Sequence, residues 1–395
     1  MSDASLTLRV EKISSHGEGI AFSEGKAVFI PFTIPGERVL CEPVETHAQF
    51  MRARLITILE PSPHRIEPPC PLFGICGGCA LQHVEYSFQR ELKRQAAHET
   101  FSRIGGFDPG PLEMVQSAPY HYRNRTQVHA CDDGGLGFTM AGSRETVRTR
   151  ACPTLVPVLE SWMIAQNRKA RPYRELAALI GERRRFTAFA QDTQIFIEGQ
   201  DAFAEAVLAG HHFRFPVAHF FQSNLGVLER LLERHILTLE GDAALDLYAG
   251  AGLFAAFLAE RFASVNLVES DPVSLEAARS NVRGTARIRI SDMPVETWVK
   301  GPLARQHHDI IVADPPRTGM TPEVRAWLAG ADAQTLVYVS CDHASLARDL
   351  KHLRATWELV QLVLYDFYPQ TGRLEAVAVL RKEHAASRGH DVSAR

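Results

Sequence analysis

The sequence predicts a multidomain chain: a small β-barrel, a mixed α/β centre holding a cysteine group, and a mainly parallel α/β domain at the C-terminal end. Three observations predict it. Residues 1–60 carry short strand-like runs separated by turns rich in Gly, Pro and Glu. Three of the seven cysteines, Cys70, Cys76 and Cys79, fall within "CPLFGICGGCALQH". From about Ala218 onward, helical and strand patterns alternate as they do in a parallel sheet.

A chain of 395 residues with 45% apolar composition has enough material to bury several cores. A net charge of -3 excludes a uniformly basic binder and leaves room for a local basic face. The opening "MSDASLTLRVEK" has no apolar core of a secretory signal, and no apolar run reaches the length of a membrane span. A cytoplasmic protein without membrane contact is expected. In that compartment thiols stay reduced, which favours metal binding or catalysis over disulfides for clustered cysteines.

Taken in order, the predicted strands of residues 1–60 are "LTLRVEKI", "GIAFSEGKAVFIPF", "ERVLCEPVE" and "RARLITILE". The Pro-rich "EPSPHRIEPPCP" marks a boundary, and "YSFQRELKRQAAHETFSRI" has helical spacing from Tyr86 to Ile104. Residues 119–205 mix strands and helices in no legible order. Helical "FQSNLGVLERLLERHIL" then precedes strand "AALDLY", helix "LFAAFLAERF", strand "SVNLVES" and helix "PVSLEAARSNV". Strands "ARIRIS", "DIIVAD" and "TLVYVS" follow, and two last strands around "YDFYPQTGRLEA" close the sheet antiparallel. The expected domains are 1–60, 61–205 and 206–385, with a loose tail at 386–395.

"LDLYAGAGLFAA" sits between a strand and a helix, with Gly250 and Gly252 spaced as in a relaxed dinucleotide fingerprint. Asp246 decides against a dinucleotide, because a carboxylate before the glycines would face a pyrophosphate unfavourably. It suits S-adenosylmethionine, which has no phosphate and carries an ammonium and a sulfonium. Glu269 ends the next strand, where a carboxylate accepts from two ribose hydroxyls. Asp292 ends the third and is placed to accept from an adenine amino group.

Two more strand ends, "ADPPRTG" and "VYVSCDHAS", point to the same carboxyl edge. An aromatic residue after Asp-Pro-Pro would suggest methylation of an exocyclic amine, but Arg317 stands there. Cys341 offers what carbon methylation requires. C5 of a pyrimidine attacks a methyl sulfonium only after a thiolate has added at C6. A base must then remove the C5 proton, and Glu375 in "GRLEAV" is the candidate. A C-x5-C-x2-C run with a remote Cys-Pro holds either zinc or an iron–sulfur cluster, and spacing does not separate them.

With these residues assembled, the chain resembles the RNA uridine-C5 methyltransferase family over nearly its whole length, specifically its iron–sulfur, ribosomal-RNA type. "PFTIPGERV" resembles the family's TRAM module, an OB-like RNA-binding barrel. "CPLFGICGGCALQH" resembles the four-iron four-sulfur segment, with Cys152 of "RTRACPTL" as fourth ligand. "YRNRTQ" and "FFQSN" resemble two further signatures. The resemblance implies an iron–sulfur α/β centre and a Rossmann-like class I methyltransferase domain. It places Gln222, Tyr248, Glu269, Asp292 and Asp314 around S-adenosylmethionine, Cys341 as nucleophile and Glu375 as base. It gives a [4Fe-4S] cluster to Cys70, Cys76, Cys79 and Cys152, leaving Cys41 and Cys131 unassigned.

The resemblance also implies an RNA partner, 23S rRNA favoured with tRNA as the alternative, and places Arg123, Asn124 and Arg125 near the target loop; a monomer is expected. A local excess of ten Lys or Arg over four acids between 141 and 186 adds a possible phosphate-contacting face. Three positions depart from the family pattern: Arg373 for His, His343 for Pro, and Leu253 for a polar residue. Arg373 puts a permanent charge two residues from Glu375, which would lower the pKa of the base or change the RNA accepted.

Overall fold

The computed structural model describes residues 5–169, 172–181 and 183–382, so the predicted tail at 386–395 lies outside the described residues. The chain forms two compact units, Met1–Glu99 with Met114–Leu231 and Tyr365–Leu374, and Thr100–Glu113 with Leu232–Leu364 and Glu375–Arg395.

In the first unit, strands Leu6–Arg9, Lys12–Ile13, Gly19–Ser23, Lys26–Ile30, Arg38–Thr46 and Phe50–Glu60 make a six-stranded sheet. Gly19–Ser23 and Lys26–Ile30 pair antiparallel about the "EG" turn, where Glu24 and Gly25 both adopt positive φ. Strand Lys26–Ile30 also pairs parallel to Phe50–Glu60. Alternate residues Val10, Ala21, Val28, Ile30, Val39, Cys41 and Ala53 form its core. Cys41 is thus a small apolar filler, the common state of a buried free thiol.

The segment that sequence patterns left unordered folds as a second sheet, in the order Thr146–Arg148, Leu136–Thr139, Arg125–Ala130, Arg185–Gln191, Gln194–Ile197. Helices Pro157–Arg168 and Pro172–Ile180 supply Leu159, Met163, Leu176 and Ile180 to its core. Strands Phe203–Leu208 and His211–Pro216 form a separate hairpin.

Helix Tyr86–Thr100 carries a buried polar row. Lys93 Nζ donates to Asp366 Oδ1 at 2.7 Å and to Tyr368 O at 3.0 Å, while Tyr86 Oη donates to Asp366 Oδ2 at 2.9 Å. Gln89 donates to Gln370 Oε1 at 2.9 Å and accepts from its backbone N–H at 3.1 Å. Burial pushes the Lys93 ammonium down, and Asp366 opposes that shift. A pair this deep gains little over an apolar pair, but leaving one partner alone is costly.

The second unit is built on parallel strands in the order Arg287–Asp292, Phe262–Glu269, Gly241–Leu247, His308–Ala313, Ala333–Ser340. Glu375–Arg381 adds antiparallel to Ala333–Ser340, and Glu358–Tyr365 lies beyond it, as the sequence predicts. The central strands are apolar on both faces, with Leu245, Leu247, Val265, Leu267, Ile311, Val312, Leu336 and Val337 fully buried. Each contributes roughly 1.5–3 kcal/mol of hydrophobic stabilisation. The order of strands reverses between Gly241–Leu247 and His308–Ala313, which opens a crevice at their carboxyl ends.

The turn at that point is sharply bent: Tyr248, Gly250 and Gly252 all have positive φ, at 62°, 53° and 79°. A Cβ on Gly252 would lie 2.7 Å from Val282 Cγ2 and 3.1 Å from Ala278 Cβ, whereas one on Gly250 meets nothing within 4 Å.

Two outcomes follow for stability. Lys93→Met, which strands the Asp366 carboxylate, should cost about 3–5 kcal/mol in urea unfolding, and a loss below about 1 kcal/mol would contradict the assigned burial. Gly252→Ala should cost about 2 kcal/mol or more through strain and overpacking. Gly250→Asn, tolerated at positive φ, should cost less than about 1 kcal/mol. Equal costs at the two glycines would remove the packing argument.

Candidate functional site

Within the second unit, the strand-end acids gather at the carboxyl edge of the sheet. Asp246 is fully buried; its Oδ2 accepts from Ala255 N at 2.9 Å, while Oδ1 has no partner among the described residues. Burial, with Asp314 and Glu269 nearby, pushes the Asp246 carboxyl up to about 8. Glu269 holds the glycine turn: Oε2 accepts from Gly250 N at 2.9 Å, and Oε1 from Ser270 N and Asp271 N at 2.6 and 2.8 Å. Asn281 Nδ2 donates to Ala251 O at 2.8 Å and ties the same turn to the next helix. Tyr248 Oη donates to Glu296 Oε1 at 3.4 Å, and Asp292 is exposed at its strand end.

An unpaired carboxylate oxygen inside a glycine turn is a receptor for a donor or cation, since burying it alone is expensive. The residues present therefore fit an ammonium- and sulfonium-bearing ligand. They do not fit a pyrophosphate, which the acids would repel.

Cys341, at the end of Ala333–Ser340, and Glu375, at the start of the last strand, belong to the same edge. Burial first, then the Glu375 and Asp314 carboxylates, push the Cys341 thiol up to about 11; the charge of Arg317 and its hydrogen bond oppose this. Burial pushes Asp314 up to about 7. Burial and Asp314 raise Glu375 well above the usual carboxylate range. His343 opens helix His343–Leu353, capped by Asp342, whose side chain accepts from Ser345 N at 2.7 Å. His343 thus stands at the first helical position, where Pro is favoured and other residues also occur.

In the first unit, Cys70, Cys76, Cys79 and Cys152 all line one cavity of about 780 Å³, together with Tyr122 and Arg123. The Cys79 thiol is pushed up to about 12, chiefly by burial, against a hydrogen bond from Gln82 that opposes the shift. Cys152 Sγ lies 3.2 Å from Thr154 Oγ1. Among the described residues no three His, Cys, Asp or Glu side chains close to the spacing of a single-ion site.

The Tyr122–Gln127 segment lies beside that cavity. Tyr122 Oη donates to Pro369 O at 2.9 Å, Arg123 Nε to Arg125 O at 3.0 Å, and Arg125 Nη2 to His219 O at 2.8 Å. Asn124 faces inward instead: Nδ2 donates to Ala190 O at 2.7 Å and Oδ1 accepts from Leu225 N at 3.4 Å. Gln222 is buried, and its Oε1 has no partner among the described residues. Much of the basic excess is engaged within the protein, through Lys169–Glu175, Arg183–Glu198, Arg184–Asp132 and the Arg148–Asn167 hydrogen bonds. Sequence patterns gave no sign of Asp349. It is fully buried and accepts from Met320 N, Arg325 Nη1, Tyr338 Oη and Arg348 Nε at 2.9, 2.9, 2.7 and 3.0 Å.

Among the described residues no helix is long and apolar enough to cross a membrane.

Comparison with known proteins fits this arrangement. The tRNA (Uracil-5-)-methyltransferase family model matches residues 185–383, and the TRAM domain model matches residues 4–56. A 23S rRNA (uracil(1939)-C(5))-methyltransferase, RlmD, of Pectobacterium atrosepticum is 30% identical, over 95% of this chain and 93% of that protein. An uncharacterized RNA methyltransferase of Bdellovibrio bacteriovorus is 32% identical, over 95% of each. The fold is that of the Pyrococcus abyssi tRNA (uracil-54, C5)-methyltransferase solved with S-adenosyl-L-homocysteine. That structure has a TM-score of 0.70 and 22% identity and covers 95% of this chain and 99% of that one. With a TRAM domain at its N-terminal end and half its length in the matching catalytic region, the chain belongs to the tRNA (uracil-5-)-methyltransferase family.

Proposed function

We propose that the protein methylates C5 of a uridine in RNA, with 23S rRNA as the favoured substrate and S-adenosylmethionine as methyl donor. The observation that carries this reading is the grouping of a thiol, Cys341, with two carboxyls whose proton affinity burial raises, Glu375 and Asp314. Asp246, Tyr248, Gly250, Gly252, Glu269 and Asp292, with Gln222 and Asp314, are the proposed donor-binding residues. When bound, the donor supplies a methyl group on a cationic sulfur.

The protein's own residues supply the rest. The Cys341 thiolate adds to C6, and the C5–C6 π pair moves onto C5 and the adjoining carbonyl. The C5 pair would then take the methyl carbon, whose bond to the donor's sulfur breaks with its electron pair left on that sulfur as a neutral thioether. The Glu375 carboxylate takes the remaining C5 proton, the double bond re-forms and the Sγ–C6 bond breaks. A proton affinity raised by burial suits a base that must hold this proton until the thiolate has left. A stacked, paired uridine exposes neither face of C6, so the target base has to be swung out of a loop. Arg123 and Arg125 are proposed to hold that loop, with Asn124 fixing the segment that bears them.

The [4Fe-4S] cluster is the second part of the proposal. Four cysteines around one cavity provide the ligand set. The C-x5-C-x2-C run with a remote Cys-Pro suits zinc as well as a cluster, and the resemblance of the cysteine segment to the iron–sulfur members supports the cluster. Cys70, Cys76, Cys79 and Cys152 would hold it as a cross-link between the 70–83 loop and the 149–155 segment. No electron transfer is required of it.

Two experiments test these readings. RNA containing 5-fluorouridine at the target has no removable C5 proton and should remain covalently attached to the protein. Cys341→Ala should form no such adduct, and Glu375→Gln should accumulate a methylated adduct on ordinary RNA; methylation by Cys341→Ala would sink the mechanism. Cys76→Ser should lose iron and RNA binding together, and full activity in an iron-free preparation would remove the cluster from the account.

A further inference from the structure

Two sulfurs of the cysteine group in the first unit take part in hydrogen bonds. Gly78 N donates to Cys76 Sγ at 3.4 Å, and Thr154 Oγ1 lies 3.2 Å from Cys152 Sγ. A loop N–H that meets the sulfur two residues before it is ordinary turn geometry. A buried hydroxyl set against a sulfur is not, because a threonine side chain in such a place normally bonds a backbone group. Thr154 is 2% exposed, and among the described residues its hydroxyl has no other partner.

The backbone fixes Thr154 in that pose. Its carbonyl accepts from Tyr122 N at 3.1 Å and from Arg123 N at 2.9 Å. On either side, His121 N donates to Pro153 O at 2.9 Å and Val156 N to Arg123 O at 3.1 Å. Leu155 N donates to Cys152 O at 3.0 Å and closes the turn that brings hydroxyl and sulfur together. With a free thiol either atom is able to donate. A metal-bound cysteine is a thiolate with no proton to give, so the hydroxyl is then the donor. Hydrogen bonds to ligand sulfurs are among the few means by which a protein sets the reduction potential of an iron–sulfur group.

We infer that Thr154 is a positioning residue for the cysteine-held group: its hydroxyl donates to Cys152 Sγ, draws charge from that ligand and makes the reduced, electron-rich form harder to oxidise. This deepens the [4Fe-4S] reading and rests on it. Protection is thereby built into the segment that carries the fourth ligand, where the sequence shows only a threonine two places after a cysteine. The step it slows is the loss of one electron to dioxygen, which leaves as superoxide, after which the over-oxidised group sheds iron. Taking away the donor raises the energy of the electron-rich side and so favours that loss.

The test needs neither RNA nor S-adenosylmethionine. Full-length parent, Thr154→Val and Thr154→Ser are purified anaerobically, and iron and sulfide per chain are measured. The samples are then exposed to air while the visible sulfur-to-iron absorption is followed. Val keeps the shape and loses only the donor, so Thr154→Val should bleach roughly fivefold faster, the effect of one neutral hydrogen bond. Thr154→Ser, which keeps the hydroxyl, should stay within about twofold of the parent. Thermal melts that match before exposure separate these effects from misfolding. Equal bleaching of the iron-loaded parent and Thr154→Val would overturn the inference. So would faster bleaching in Thr154→Ser than in Thr154→Val, which would assign the protection to packing rather than to the hydroxyl. A parent that holds zinc in place of iron would overturn the cluster reading first, and this inference with it.

Discussion

Charge balance at one edge of the parallel sheet is the constraint on which the catalytic unit depends. Asp246, Asp314 and Glu375 are brought together at strand ends, and burial raises all three carboxyls. Neighbouring carboxylates in a poorly hydrated crevice resist simultaneous ionisation. A cationic ligand at this edge would ease that repulsion. The glycine turn makes this possible by letting Tyr248, Gly250 and Gly252 bend tightly enough for Glu269 to bind Gly250 N.

The same economy recurs in the supporting network. A buried carboxylate organises each unit: Asp366 gathers Lys93 and Tyr86 in the first, and Asp349 gathers Arg325, Arg348 and Tyr338 in the second. Neither is a strong source of stability, since desolvation consumes most of the attraction. Their value is geometric, because a fully hydrogen-bonded buried charge accepts one arrangement of its donors. In the second unit that arrangement fixes the loop bearing Arg317 against the helix that begins just after Cys341.

Most of the catalytic unit was legible in the sequence because its signals are local. Apolar runs of strand length, a glycine pair after Asp246 and acids at successive strand ends survive as short patterns, and they recur here as an ordered parallel sheet with those acids at one edge. The cysteines were legible too, as "CPLFGICGGC" is dense enough to notice, although only folding brings Cys152 to the same cavity. What was not legible depends on distance along the chain. Lys93 reads as one more helical cation until Asp366 is placed beside it, and Asp349 reads as an ordinary helix acid. The sheet formed by 125–130, 136–139, 146–148 and 185–197 escaped because its strands are short and interrupted by two helices. Asn124, read as an RNA-facing residue, turns inward because its amide satisfies backbone groups that would otherwise be buried unpaired.

The central claim is chemical, that a methyl group is delivered to C5 of uridine in RNA. Anaerobically purified protein would be incubated with methyl-labelled S-adenosylmethionine and with unmodified ribosomal or transfer RNA, and the labelled nucleoside identified by mass spectrometry. Label in 5-methyluridine from 23S rRNA is the result this account predicts. Label in 5-methyluridine from transfer RNA alone would keep the chemistry and overturn the substrate, and label in 5-methylcytidine, or none in protein shown to bind the donor, would contradict the account itself.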